Sequence, residues 1–354
     1  MPASHILTYA QTMSGGVEAA LGRLLQGWLD RGRRVTLVLG RDAGQFRDMV
    51  PRGVEIVTLG HDHYVGLAAA LPLLIEQTRP DILFCPGNHY TSMAAYARLR
   101  LADRCPPIVA KMSNAVDRGD HSAWLAWGQR QWLALHGLFL DTLVAMTPAT
   151  ARAAQEATGM SVAVIPNPPA ALPGGVPDQP LLAERRILGV GRLEPQKRWD
   201  RLLDALPRLA DAQVKLLLLG EGAARAALDA QIAALGLGDR VIMPGHAGDP
   251  LPALRGAAVA VLTSDYEGVP GVLREALSVG TPVVSTESSV AVREIVHAPE
   301  LGTVIAREDG DALVAALDHW LAPDAVRPAP VTATGDPIAD YLALFDRMVD
   351  GRRR

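Results

Sequence analysis

Short apolar runs alternate with segments of helical periodicity along nearly the whole chain. The runs fall at 5–9, 34–39, 54–59, 81–85, 108–112, 142–146 and 162–165, then again at 187–191, 214–219, 241–245, 257–262, 282–286 and 301–306. Most are continuously apolar rather than alternating, which suits strands covered on both faces of a parallel sheet. Helical spacing fills the gaps, for instance after Gly16 to about Leu29, over 66–77, 92–101, 271–279, 309–321 and 338–349. Strand–helix alternation of this kind predicts α/β units in two doubly wound, Rossmann-like domains. Residues 166–179 are rich in Pro, Gly and Ala and read as a linker. The predicted organisation is a first domain over 1–168, a linker over 169–184, a second domain over 185–335 and a final helix over 336–354.

One stretch carries the strongest chemical signal. The strand at 257–262 runs into a polar, Gly/Pro-punctuated loop at 263–270 and then into the 271–279 helix, which Gly280-Thr281-Pro282 stops. A loop entering a helix start presents free N–H groups and a positive dipole end, so it can hold a phosphate. Gly268 and Gly271 allow close backbone approach, and Val269, Pro270, Val272 and Leu273 continue the turn. Glu267 precedes the turn and Glu275 follows eight positions later. Carboxylates suit hydroxyl-rich ligands, because each accepts from several donors. A similar strand–turn–helix opens the chain, with Gly15 and Gly16 at the turn. It is not G-x-G-x-x-G, so it does not signal a dinucleotide site. Arg192 and Lys197 lie between a strand end and a helix entry, where a fork and a point charge neutralise a diphosphate.

The string Glu-Gly-Val-Pro-Gly-Val-Leu-Arg-Glu-Ala at 267–276 resembles the signature of retaining glycosyltransferases of the GT-B fold, family 4 (glycosyl transferases group 1). Gly-Arg-Leu-x-x-Gln-Lys-x-x-Asp at 191–200 is similar to the family's donor-diphosphate motif, and Gly-Gly-x-Glu at 15–18 to its first glycine loop. The resemblance covers nearly the whole chain and is strongest over 187–286. It implies two Rossmann-like domains facing a central cleft, with the last helix crossing back to the first domain. It implies a retaining transfer from a nucleotide-diphospho-sugar, a UDP-sugar above all, to a saccharide or lipid-linked saccharide in bacterial glycan assembly. No cofactor and no metal are implied. Arg192 and Lys197 would hold the diphosphate, with backbone from 268–273 and at Gly16. Glu267 would hold the sugar hydroxyls and Glu275 the ribose, while Gly220, Gly245 and His246 would border the donor. Two departures stand out. The family's acceptor-side His is replaced by Ser113-Asn114, leaving His89, Asn114, Asp117 and Arg118 as acceptor-side candidates. The usual Gly-rich loop is replaced by Glu287-Ser-Ser-Val-Ala-Val.

Composition narrows the setting. The 354 residues carry a net charge of −4, so bulk polyanion binding is not indicated and no nucleic-acid partner is expected. Two Cys, Cys85 and Cys105, make neither a disulfide framework nor a metal site and fit a reducing cytoplasm. The first residues show no signal-peptide pattern. Three of the six Trp lie in 120–139, at Trp124, Trp127 and Trp132. That segment reads as a core helix, an acceptor platform or a contact with the inner face of the membrane. Other readings of the whole chain are a non-catalytic sugar-nucleotide-binding homologue, a sugar-nucleotide epimerase, or a periplasmic binding protein, which the missing signal peptide disfavours.

Overall fold

A computed structural model describes residues 2–116, 122–169, 186–246, 248–332 and 334–352. The chain divides into two compact units, one made of Met1–Pro168 and Gly335–Arg354, the other of Pro169–Thr334. The linker expected at 169–184 lies outside the described residues except for Pro169.

Among the described residues, the first unit holds a seven-stranded sheet. Its strands are β1 (His5–Ala10), β2 (Arg34–Leu39), β3 (Glu55–Thr58), β4 (Ile82–Cys85), β5 (Ile108–Lys111), β6 (Thr142–Ala145) and β7 (Val162–Val164). The spatial order is β3-β2-β1-β4-β5-β6-β7, and every pairing is parallel. All six residues of β1 are buried, which is why that run is continuously apolar apart from its His and Thr. The helices are α1 (Gly16–Asp30), α2 (Tyr64–Thr78), α3 (Thr91–Leu101), α4 (Ala123–Ala134) and α5 (Pro148–Thr158).

The second unit holds β8 (Arg186–Val190), β9 (Lys215–Leu219), β10 (Val241–Gly245), β11 (Val259–Leu262), β12 (Val283–Thr286) and β13 (Gly302–Ile305). They pair in the order β10-β9-β8-β11-β12-β13, again all parallel. Its helices are α6 (Trp199–Ala205), α7 (Arg225–Ala234), α8 (Leu251–Gly256), α9 (Gly271–Ser278), α10 (Val292–Ile295) and α11 (Gly310–Leu321). The periodicity does not announce α8 or α10, because turns this short carry little helical signal.

The last helix, α12 (Pro337–Arg352), follows the second unit in sequence but packs in the first. Tyr341 and Phe345 meet Trp28 and Phe84 edge-on, with centroids 5.5 Å apart for Trp28–Phe345 and 5.6 Å for Phe84–Tyr341. Such pairs add to the burial energy of large rings. A Cβ at Gly27 would sit 2.5 Å from Ile338, so the close approach of α1 and α12 depends on that glycine. Asp346 closes the joint by accepting from the Ala3 N–H (2.7 Å) and from Arg33 (3.0 Å).

Candidate functional site

In an open parallel sheet, ligands sit beyond the carboxyl ends of the strands, where the strand order reverses. In the second unit that point lies between β8 and β11, the first strand of the unit and the fourth. The loop after β8 carries Arg192 and Lys197, and the loop after β11 carries Glu267. Two motifs seventy positions apart therefore face each other. Lys197 Nζ donates to Glu267 Oε1 at 2.6 Å, with both side chains about nine-tenths buried. Ser264 Oγ donates to the same Oε1 at 2.6 Å.

Backbone contacts fix the two loops to one another. Gln196 donates to the Tyr266 carbonyl (2.6 Å), and the Asp265 N–H donates to the Gln196 carbonyl (2.9 Å). Thr263 Oγ1 bridges to the carbonyls of Lys197 and Arg198, each at 2.9 Å. Arg201 pairs with Asp265 at 2.7 Å, and Arg198 adopts a left-handed conformation (φ 50°) between Lys197 and α6. With Arg198 as the N-cap, the helix starts at Trp199. Arg192 is more open, its side chain 58% exposed beside Glu194. Trp199 Nε1 donates to the Arg192 carbonyl at 3.1 Å and steadies its backbone.

The glycines around this point have distinct tasks. A Cβ at Gly220 would lie 1.9 Å from the Gly191 carbonyl oxygen, so the β8 and β9 turns nest only without a side chain there. Gly220 N–H donates to the Gly245 carbonyl (2.9 Å), which draws the β10 end into the same row; His246 beyond it is exposed. Gly271 opens α9 with no atom within 4 Å of a Cβ built on it, so nothing in the fold itself demands glycine. Leu273 is buried and anchors α9, while Val269 and Val272 are half-buried and Pro270 buried. Glu275 is half-buried on the second turn of α9. The atypical 287–292 segment is also part of this edge: the Ser288 carbonyl accepts from the Glu267 N–H (2.7 Å), and Ser289 Oγ donates to the Gly268 carbonyl. Sequence reasoning missed Ser264, Gln196 and Arg201 as supports. The residue types are common, and only the meeting of the two loops gives them meaning.

The first unit reverses its strand order between β1 and β4. Gly15 is the N-cap of α1 and Gly16 is exposed with open space around it. The loop after β4 holds Asn88, whose Oδ1 accepts from Ser113 Oγ (3.2 Å) and from the Asn114 N–H (3.0 Å). His89 is exposed and lies against Tyr90, with ring centroids 3.8 Å apart and planes tilted by 42°. His89 and Asn114 thus share one edge through Asn88, whereas Asp117 and Arg118 lie outside the described residues. Of the three tryptophans, Trp132 is half-buried and donates to Thr91 Oγ1 (3.2 Å), but Trp124 is 72% exposed and Trp127 62% exposed. A wholly core helix is therefore corrected: α4 buries Leu133 and packs Trp132 partly against the core, but turns Trp124, Leu125 and Trp127 to solvent. No helix among the described residues is long and apolar enough to cross a membrane.

Comparison with known proteins agrees with this architecture. The family described as Glycosyltransferase Family 4 matches residues 14–168, and Glycosyl transferases group 1 matches residues 179–329. The chain is 29% identical over 158 residues to the amylovoran biosynthesis glycosyltransferase AmsD of Erwinia amylovora, which is 45% of this chain and 44% of that one. Alignments with the first curated relatives thus span less than half of their length. A phosphatidyl-myo-inositol mannosyltransferase of Mycobacterium leprae is 29% identical over 95% of this chain and 91% of its own. Among solved structures, Anabaena HepE in complex with UDP and glucose superimposes with a TM-score of 0.75 at 20% identity, over 99% of this chain and 97% of that one. One family thus matches the first half of the chain and the other the second: the chain carries a Glycosyltransferase Family 4 domain followed by a Glycosyl transferases group 1 domain, on the GT-B fold of its structural neighbours.

Proposed function

We propose that the chain is a retaining, metal-independent glycosyltransferase that moves a sugar from a UDP-sugar to a saccharide or lipid-linked saccharide in bacterial glycan biosynthesis, working in the cytoplasm. The observation that carries this reading is the Lys197–Glu267 contact at the strand-order reversal of the second sheet. A cation for the diphosphate and an acceptor for sugar hydroxyls stand 2.6 Å apart, as a donor whose phosphate and sugar are adjacent requires. Arg192 adds a second, exposed cation for the leaving diphosphate. The start of α9, with Gly271 open, gives N–H groups for the same phosphates, and Glu275 on that helix takes the ribose. Electrostatic stabilisation of the departing diphosphate carries most of the rate. The donor phosphate takes the acceptor's proton, so no protein nucleophile is needed. Acceptor-side groups are His89 and Asn114 at the edge of the first sheet, with Asp117 and Arg118 as further candidates. HepE, solved with UDP and glucose, supports UDP as the nucleotide, and AmsD, named for amylovoran biosynthesis, supports a polysaccharide pathway.

Thermal shift against UDP, GDP, ADP and their sugar conjugates, with EDTA present, tests the donor reading. A ligand at about 100 times its Kd adds about 2.7 kcal/mol, a shift of several degrees. UDP-specific stabilisation and release of UDP on adding an acceptor are expected. Stabilisation by GDP or ADP alone would replace the base, and dependence on a divalent ion would remove the metal-independent mechanism.

A lipid-linked acceptor at the inner face of the membrane is favoured by α4 and its continuation. Trp124, Trp127 and Leu138 (78% exposed) share a segment, 122–140, that carries Arg130 and no Asp or Glu. Exposed tryptophans beside a cation suit the lipid boundary. The M. leprae relative, named for a phosphatidyl-myo-inositol acceptor, points the same way. Co-sedimentation with vesicles containing phosphatidylglycerol should be lost in the Trp124→Ala/Trp127→Ala variant. Equal binding by both proteins would remove the membrane contact.

A further inference from the structure

Glu267 divides its two carboxylate oxygens between the protein and the solvent. Oε1 accepts from both Lys197 Nζ and Ser264 Oγ, each at 2.6 Å. Oε2 has no partner among the described residues, yet it is not an enclosed atom. It shares in the 12% of the side chain that stays exposed. A carboxylate that is mostly buried thus keeps one open acceptor.

An ion pair alone does not produce this division. The torsion that turns a carboxylate is soft, and an ammonium is a point charge without a fixed fork. A carboxylate facing only Lys197 gains by turning both oxygens toward it, which uses up the open acceptor. The ammonium keeps a proton for a phosphate in either arrangement. Ser264 opposes the turn. Its hydroxyl has a single proton and gives it to Oε1. Such a charge-assisted bond is about twice as strong as one between neutral groups. Ser264 also cannot follow a turning carboxylate. It is 0% exposed, and its carbonyl accepts from Thr286 Oγ1 at 2.6 Å, at the end of β12. Thr263, one residue earlier, holds the Lys197 carbonyl. Two successive hydroxyls after β11 therefore hold the two members of the ion pair separately.

We propose that Ser264 is a positioning residue that keeps the Lys197–Glu267 contact on one oxygen, so that Oε2 is offered to a single hydroxyl of the donor sugar. This rests on the transferase reading for the ligand. The orientation of the carboxylate does not, and it is tested without one.

A crystal structure of ligand-free Ser264→Ala tests the orientation. The expected result is an unmoved 263–267 backbone with both Glu267 oxygens turned to Lys197. A carboxylate still held through Oε1 alone would overturn the proposal. So would a 263–267 loop that loses its path, which marks Ser264 as a support of the backbone. Kinetics tests the consequence, with UDP-glucose as the first probe and other UDP- and GDP-sugars beside it. For the donor that wild type uses best, kcat/KM of Ser264→Ala should fall about ten-fold or more, while Kd for the free nucleoside diphosphate stays near the wild-type value. Among singly deoxygenated forms of that donor's sugar, one should be turned over equally by both proteins, because it lacks the hydroxyl that Oε2 accepts. A parallel loss of diphosphate affinity would overturn the assignment, as would the same gap with every deoxygenated form. A wild-type protein that releases nucleotide from no donor would remove the transferase reading alone, leaving the crystal structure to judge the serine.

Discussion

The two sheets reverse their strand order in the same manner, after the first strand of each unit and beside its fourth, yet the two reversal points are built oppositely. In the second unit the ionic contact Lys197–Glu267 lies at the lip, with cationic Arg192 exposed beside it. In the first unit the ionisable groups Glu18, Tyr90 and Lys111 lie beneath the edge and only the loop above them is open. One site offers charge to a ligand directly. The other spends its charge on backbone geometry. Charged groups at a lip are placed to stabilise a charged leaving group with little reorganisation, whereas the buried Glu18 is tied to the Gln11 backbone through the Tyr90 hydroxyl. The same fold thus supports a fixed chemical half and an adaptable half.

The most severe test of this contrast is Lys197→Ala. Loss of one stabilising charge at the leaving group should lower kcat by about 100-fold or more, measured as nucleotide release with acceptor. Because Glu267 would then be left buried with the Ser264 hydroxyl but no cation beside it, the Lys197→Ala/Glu267→Ala double variant belongs beside it. Its stability should recover while its activity should not, and a double variant that regained turnover would mean the pair is only structural.

Glu267→Gln alone comes next. The amide keeps one acceptor oxygen and loses the charge facing Lys197, so kcat/KM for the donor should fall by about ten-fold or more. A fall confined to the acceptor's KM would place Glu267 on the wrong substrate.

A smaller effect separates the buried charge of the first unit from the exposed ones of the second. The Lys111 ammonium titrates near 7 when folded and near its ordinary 10.5 when unfolded. Between those values the unfolded chain binds more protons, so stability rises with pH there and is flat below 7, where both forms are protonated. Wild-type stability should therefore climb from pH 7 to 9 relative to Lys111→Met, read from urea midpoints. Parallel curves would show that Lys111 is solvated.

The smallest structural effect is expected at Gly271. Alanine meets no atom within 4 Å and improves the first helical position, so Tm should hold or rise slightly. A loss of donor affinity in this variant would mean that a ligand comes as close as the missing Cβ. Unaltered affinity would move the phosphates away from α9. Gly220→Ala, by contrast, drives a Cβ onto the Gly191 carbonyl and should destabilise the second unit whether or not a donor binds.

Much of this was legible in the chain. Apolar runs located each described strand to within a residue or two; the central strands, such as β1, β4, β5 and β11, are covered on both faces and have few polar positions to spare. The spacing of Arg192, Lys197, Glu267 and Glu275 marked one strand-end edge of the second sheet, because each falls just after a strand end or in the helix that follows. Other features were not legible. Nothing local in Lys111 says that it is buried: it closes an apolar run, where a lysine usually reads as the solvated end of a strand. Trp124 and Trp127 have the composition of a core helix and stand in solvent.

The sequence by itself determined the α/β alternation, the glycine turns at the strand ends and the chemical types gathered there, because periodicity and turn chemistry act over a few neighbouring residues. Only the tertiary structure decided that Lys197 would meet Glu267 rather than stand alone, that Glu18 would meet the Tyr90 hydroxyl, and that α12 would return to the first unit. Those outcomes depend on which strand lies beside which and on which side chains are left without water. Both are properties of the packed sheet as a whole.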